Sequence, residues 1–575
     1  MIYLSPHKIT NFLNQDKILD WLPLYGALNG YLPDKTNPYH NKWNEWICQR
    51  GNQWENNQIK ELEQIAHENN LKIHQISRQK PETPEEWERV SHQSIETLRS
   101  QEYDILLQVP IQAELQPGVI WRGIVDVLIL SRCFDKIGGI SMKQTKKHHK
   151  YFIADWKQNR VHLTREKVLS FQTYKHWYYQ CFIYQQILLT HQIPIYDDKF
   201  GIIPSKVRFQ SQSIPGGIQE EIVVSYFRWT EQKEVLEQAA EWHQKLQEED
   251  TKTWNPIQHP DLAPNCRNQS SNNYSQAKLL IARMRSELTL IPYVSTKRKH
   301  QAEEALKQNG SLRADNNLIA PSHLGFRHEG LRAKRVRRSL ECLRELSSFQ
   351  EQDESSWNRE TQRCLSNYPN WLQETSHNYI AIDFEFMPVA WLQSPGFTRE
   401  TGHVLVCWGY ISWNDAKPEY HQYVIEEPTQ EAEDKLWDSM REVLEKAEGK
   451  WISWGQVEQT LVRQKWGRPE LLGINLIKEL EKMTFLPSPL LDYKLKNWGT
   501  YLVREGLVQK ELPTVGRDLT FPDQGNFWIP QWIPYLNQIE PKPDTKDLLN
   551  YHLRDITWLL SIYRNLLTPA TTPRE

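Results

Sequence analysis

The chain has 575 residues, enough for two to four domains with substantial cores. Its formal net charge of −3 excludes a globally basic surface, so any grip on phosphates must come from local patches. No N-terminal apolar stretch suits a secretory signal and no run approaches the roughly 20 apolar residues of a membrane span, which predicts a cytoplasmic protein with no membrane partner.

In chain order, Ser5-Pro6 reads as the N-cap and N1 of a first helix. Arg50-Gly51-Asn52-Gln53-Trp54-Glu55 then precedes a helical pattern of Ile59, Leu62, Ile65 and Ala66, and another helical stretch lies near 85–100. Two apolar β-like runs follow, Val119 to Leu130 carrying Asp126 and Tyr151 to Lys157 carrying Asp155. A charge on such a run is costly unless paired or bound to metal. Together the runs would bring two carboxylates and one ammonium to a common point. Asp126, Asp155 and the Trp156 carbonyl offer oxygen ligands for a hard divalent ion, and Lys157 would orient an attacking water or offset charge on a phosphate. The chemistry that wants this group is phosphodiester hydrolysis.

The loop between the two runs is basic, with Lys143, Lys146, Lys147, His148, His149 and Lys150. Helical patterns cover 165–190 and 230–248; in the first, Gln180 and Tyr184 are four apart and share a face. From about 250 to 275 the composition shifts to Asn, Pro, Gln and Ser, which predicts a boundary. Beyond it, helical patterns at 276–287, 296–308 and 329–350 read as a connector carrying Arg332, Lys334, Arg335, Arg337 and Arg338.

Tyr379-Ile380-Ala381-Ile382-Asp383-Phe384-Glu385-Phe386 is a short strand whose two acids share one sheet face. Like charges side by side in an apolar strand resist desolvation unless a cation neutralises them. Further on come Glu458, in Trp451-Ile452-Ser453-Trp454-Gly455-Gln456-Val457-Glu458, and Tyr551 with Asp555, four apart in the last helix. The 24 Trp, 24 Tyr and 16 Phe are expected mostly in the core, with any exposed rings available to stack unpaired bases.

The N-terminal motifs resemble the RecB-like branch of the PD-(D/E)XK nuclease superfamily. On that resemblance Gln180 and Tyr184 fit the family's Gln-x-x-x-Tyr helix and Glu55 matches the acid that an early helix lends to the metal, while Trp54 stands where many relatives carry His. The C-terminal motifs resemble RNase H-like 3′–5′ exonucleases of the DEDD type. There Tyr551 would orient the attacking water and Asp555 would join Asp383 and Glu385 at the metals, with Glu458 where an Asp is usual. The order is that of a bacterial family of RecB-like nucleases fused to a C-terminal RNase H-like domain, covering roughly 1–270 and 376–570. Ser286 to Gly310 resembles a helix-hairpin-helix unit that lacks the turn glycine.

The resemblance implies an α/β protein: a restriction-endonuclease-like domain at 1–265, a mainly helical connector at 266–375 that contacts DNA, and an RNase H-like domain at 376–575. It implies metal-dependent DNA hydrolysis in repair, recombination or defence, on single strands or duplex ends. Mg²⁺ or Mn²⁺ would be held by Glu55, Asp126 and Asp155 in one site and by Asp383, Glu385, Glu458 and Asp555 in the other. The alternatives are a nucleic-acid-binding protein with one or both sites decayed, and an RNA-processing exonuclease. Many RecB-like nucleases carry an iron–sulfur cluster. Here only Cys266 stands in a late position suited to it, and Cys48, Cys133, Cys181, Cys342, Cys364 and Cys407 form no Cys-x-x-Cys pair, so the cluster is expected to be absent. No Gly-x-x-x-x-Gly-Lys-Ser/Thr motif is present, so unwinding would need a helicase partner.

Overall fold

The structure, a computed structural model, describes residues 1–575 except 35–37, 78, 138–148, 166, 210–211, 216–221, 269–272, 309–318, 327–329, 348–355, 365–368, 370–378, 393–395, 398–401, 415–416, 448, 489, 519–527 and 568–575. It is an α/β protein with mixed sheets that divides into two units, Met1–Asp34 with Ile47–Lys278, and Lys35–Trp46 with Leu279–Glu575.

The first unit is built on an eight-stranded mixed sheet. Its strands are β1 (Ile2–Leu4), β2 (Ile73–Gln75), β3 (Ile105–Gln116), β4 (Val119–Leu130), β5 (Tyr151–His162), β6 (Lys199–Phe209), β7 (Gln212–Pro215) and β8 (Val223–Tyr226). The order is β2-β3-β4-β5-β6-β7, with β1 beside β4 and β8 beside β6. β4 runs antiparallel to both β3 and β5, whereas β5 and β6 are parallel. Central strands buried on both faces read as continuous apolar runs, as Val127-Leu128-Ile129-Leu130 and Tyr151-Phe152-Ile153-Ala154 do.

Four long helices among the described residues serve this sheet. Pro84–Ser100 starts where Thr83 Oγ1 accepts the Glu86 amide at 3.2 Å, with Pro84 in its first turn, a standard N-terminal signal. Phe171–Thr190 buries Tyr178, Tyr179, Phe182, Ile183, Ile187 and Leu188, so most of its circumference lies in the core. Trp229–Lys245 buries Leu236, Ala239, Ala240 and Trp242. The early helix spans Pro38–Glu68 and packs Leu62, Ile65 and Ala66 into the same core. At the N-terminus the expected helix begins instead as a 3₁₀ turn, Pro6–Lys8, before Ile9–Leu13; Ser5 is extended there but makes no side-chain capping bond.

The second unit carries β9 (Tyr379–Pro388), β10 (His403–Asn414), β11 (Lys417–Val424), β12 (Lys450–Ser453) and β13 (Ile474–Asn475), ordered β11-β10-β9-β12-β13. β9, β10 and β11 are antiparallel, and β12 is parallel to both β9 and β13. The Lys546–Leu567 helix packs on β9 and β10, and the Leu495–Arg504 helix packs along it. Gly499 permits that approach, since a Cβ there would fall 2.0 Å from Trp558 Cδ2. The connector region is helical at Ser275–Met284, Thr296–Gln308, Leu331–Ser347 and Ser356–Cys364. Cys342, Trp357 and Cys364 share a core with Trp498, Leu559 and Tyr563.

Fully buried tryptophans 21, 87, 121, 408, 498, 528, 532 and 558 put much of the aromatic content in the cores. Among the described residues no helix is long and apolar enough to cross a membrane.

Candidate active sites

In the first unit β5 carries Asp155 and Lys157 two residues apart, hence on one face. The Lys157 ammonium ion-pairs with Asp155 Oδ2, and Asp155 is 1% exposed. Gln180, from the Phe171–Thr190 helix, bridges the two: its Nε2 donates to Asp155 Oδ1 at 3.0 Å while its Oε1 accepts from Lys157 Nζ at 3.4 Å. The same Nε2 lies 3.1 Å from the Tyr184 hydroxyl, the i+4 neighbour. Gly123 on β4 makes room for that ring, because a Cβ there would sit 2.5 Å from Tyr184 Cε1.

Asp126, on β4, accepts the Trp156 amide at 2.9 Å and adjoins Asp155. Burial first, then the neighbouring Asp155 charge, pushes Asp126 well above the usual carboxylate range. Burial works against the Lys157 ammonium, but Asp155 and Asp126 outweigh it and hold its proton more tightly than usual. Burial, followed by Asp155 and Asp126, also keeps Tyr184 a neutral phenol far above its ordinary range.

Glu55 stands on the Pro38–Glu68 helix, where its Oε1 accepts a hydrogen bond from Gln108 Nε2. Burial and then Asp155 raise its pKa. Glu55 does not close to ligand distance with both aspartates; among the described residues the only group of three such side chains within 4.8 Å lies in the second unit. Trp54 packs edge-on against Trp156, with ring centroids 6.2 Å apart.

Gln108 is a site neighbour that sequence reading missed. It has φ +50° in the middle of β3, between the Leu107–Val127 and Val109–Val125 pairs and so opposite Asp126. A non-glycine residue held in the left-handed region costs on the order of 1–3 kcal/mol, and such strain concentrates at functional sites. The available signal was a single amide inside the apolar run Ile105-Leu106-Leu107-Gln108-Val109.

The second unit's group is Asp383, Glu385 and Asp555, one ligand oxygen of each lying within 4.8 Å of the others. β9 supplies the first two and the Lys546–Leu567 helix the third. Burial, then Glu385 and Asp555, pushes Asp383 well above the usual range. Burial and Asp555 bring Glu385 up to about 8. Burial followed by the Asp555 charge keeps Tyr551 protonated far above its ordinary range.

Glu458 sits in the first turn of the Gln456–Trp466 helix, its Oε2 only 2.6 Å from where a Gly455 Cβ would be. Its charge contributes to raising Asp383 and Glu385, yet it stands outside the three-residue group. Burial raises its own pKa. Two cations border the cluster: Lys496 ion-pairs with Asp555 Oδ2, and Arg554 Nε lies 3.7 Å from Asp555 Oδ1.

His552 braces this site from beneath. Its ring Nε2 lies 2.8 Å from the Asp383 carbonyl, and Gln422 Nε2 lies 3.1 Å from its Nδ1. A donor at Nδ1 and an acceptor at Nε2 fit the neutral ring protonated at Nε2. Burial pushes its pKa down to about 4, in keeping with that neutral form. Gly409, paired with Asp383 across β9 and β10, clears the space: a Cβ would lie 2.8 Å from His552 Cε1 and 2.4 Å from the His421 carbonyl.

No protein-family model, curated protein or solved structure matches this chain. The chemistry of the two groups therefore rests on their geometry. Both are carboxylate sets on a sheet, each with a lysine ammonium in contact and a neutral tyrosine beside it. The donor set of the second fits a hard divalent cation, because an ion there would relieve the burial and mutual repulsion that raise Asp383 and Glu385.

Of the expected basic patches, Lys143, Lys146, Lys147 and His148 lie outside the described residues. In the other, Arg335 pairs with Glu481 and Arg338 with Glu341, Glu345 and Glu360, which leaves Arg332, Lys334 and Arg337 exposed. Cys266 is partly buried and Cys48 exposed, while the other five cysteines are buried.

Proposed function

We propose that the chain is a metal-dependent nuclease that hydrolyses DNA phosphodiester bonds, with a restriction-endonuclease-like first unit of the RecB-like type and an RNase H-like exonuclease-type second unit. The observation that carries this reading is the Gln180 bridge, which ties Asp155 and Lys157 into one rigid acid–ammonium pair beside Asp126. A structural ion pair needs neither a second buried acid nor an amide fixing both partners. A site preorganised for a phosphate and its nucleophile needs both.

Asp126 and Asp155, joined by Glu55 only after a shift of its side chain, would hold Mg²⁺ or Mn²⁺ in the first unit, and Asp383, Glu385 and Asp555 in the second. Bound there, the ion would supply a Lewis acid and a water more acidic than bulk water. Lys157, charged at neutral pH, offsets charge gathering on the phosphate oxygens. Gln180 keeps Asp155 and Lys157 in register. Tyr551, a neutral phenol beside Asp555, is suited to orient a water by donating or accepting a hydrogen bond. DNA on single strands or at duplex ends is the proposed substrate, in repair, recombination or defence.

Two observations favour a second reading for the C-terminal unit. Glu458 stands outside the acid group and Lys496 lies against Asp555, as expected of a site that has turned from cutting to binding. The test is cleavage of labelled single-stranded DNA, duplex DNA and RNA with Mg²⁺, with Mn²⁺ and with a chelator. The proposal expects DNA cutting that disappears with the metal. Cutting that persists in chelator, or RNA as the only substrate, would contradict it.

A further inference from the structure

Lys496 belongs neither to β9 nor to the Lys546–Leu567 helix, which carry the acids, and comes from the Leu495–Arg504 helix. Gly499 draws that helix against Trp558, and three residues before it Lys496 reaches across Tyr551, its ammonium 4.1 Å from the Tyr551 ring centroid and 5.6 Å from that of Trp558. Two rings and a carboxylate thus hold one ammonium at the edge of the acid group. The lysine side chain is 26% exposed and the Asp555 side chain 8%.

The charge count limits what else the cluster can take. Asp383, Glu385, Asp555 and the neighbouring Glu458 bring four negative charges when ionised, and the Lys496 ammonium and the Arg554 guanidinium cancel two. Two remain, the charge of one divalent cation. A second divalent ion would have to crowd the ammonium off Asp555 against the repulsion between the two cations. Coordination positions remain for one ion, because Asp555 Oδ1 and Glu458 Oε2 are buried and make no hydrogen bond, with Arg554 Nε 3.7 Å from that Oδ1 as an ion-pair neighbour.

We propose that Lys496 is a tethered cation of this cluster, standing in for one of the two divalent ions that such a carboxylate set otherwise takes, so that the second unit binds a single ion. This rests on reading the cluster as a metal site. Lys496 then has two tasks: it neutralises Asp555 before metal arrives, and its ammonium remains available to a phosphate oxygen once Asp555 turns to the ion.

The test counts Mn²⁺, added alone, on the full-length chain carrying Asp126→Ala and Asp155→Ala, so that the count refers to the second unit. Electron paramagnetic resonance and titration calorimetry should give one Mn²⁺ per chain that is lost on adding Asp383→Ala, with the spectrum of an isolated ion. Lys496→Met should admit a second ion and give the coupled spectrum of a pair about 3.5–4 Å apart. Lys496→Arg, which keeps the charge, should still bind one. A coupled pair with Lys496 in place would overturn the proposal, and that spectrum decides even if Lys496→Met fails to fold. A single ion in folded Lys496→Met would overturn it too. If no Mn²⁺ depends on Asp383 in any variant, the proposal falls together with the metal reading of this cluster, while DNA cutting by the first unit still stands or falls by its own assay.

Discussion

In the first unit the ammonium and the carboxylate it touches are two residues apart on one strand; in the second the ammonium arrives on a separate helix and meets an acid 59 positions away. The first pairing follows from the alternation of a β-strand and needs only that β5 forms. The second depends on a helix-to-helix contact that a single glycine permits. Each site also has a glycine that clears space for a ring, Gly123 under Tyr184 and Gly409 under His552, but the second clearance involves backbone as well as side chain. The difference teaches that an ion pair written into one strand needs only that strand, whereas one assembled from two helices depends on their packing.

The largest effect expected from this contrast is on cutting by the first unit. Lys157→Ala or Asp155→Ala should lower DNA cleavage by on the order of 10²-fold or more in protein that still folds, though at lower stability, because each removes a directly acting group and leaves its buried partner unpaired. Wild-type rates in both variants would end the assignment of that site.

The glycines come next. Gly409→Ala forces a methyl against the His421 carbonyl and the buried His552 ring, so the second unit should lose about 1–3 kcal/mol, read from the denaturant midpoint. Gly123→Ala meets mainly the Tyr184 ring and should cost less. Equal losses in the two variants would erase the distinction between the sites.

A smaller effect lies in pH dependence. Glu385 ordinarily titrates near 4.5 and is raised to about 8 in the fold, so the folded chain holds its proton more tightly than the unfolded one. The stability this contributes is fully present below 4.5 and is lost as pH rises through about 8. Metal-free protein should therefore melt at lower temperature as pH climbs across that window. Glu385→Gln should flatten the slope, and saturating Mn²⁺ should reverse it by favouring the ionised acids. A slope unchanged in Glu385→Gln would place the titration elsewhere.

Much of this architecture is legible in the sequence. Val119 to Leu130 reads as a strand because its residues are apolar and β-branched, and β4 has those limits. Gln180 and Tyr184 four apart predict a shared helix face, and the two side chains do meet. Asp383 and Glu385 were visible as acids out of place in an apolar strand. What stayed hidden were groups brought in by tertiary packing. Nothing local marks Lys496 as the partner of Asp555, or His552 and Gln422 as the brace under Asp383. The strained Gln108 leaves only a faint trace, one amide in an apolar run. Basic residues misled in the opposite direction, because Arg335 and Arg338 look available in sequence but are taken up by internal acids.

The most direct test of the account is cleavage of labelled single-stranded DNA in Mg²⁺ and in Mn²⁺ by Asp126→Ala, by Asp383→Ala and by the double variant. The account predicts that Asp126→Ala retains only a slow, Mn²⁺-favoured trimming from the 3′ end, that Asp383→Ala keeps the main activity, and that the double variant is inert. A folded double variant that still cuts at the wild-type rate would show that neither acid group hydrolyses DNA.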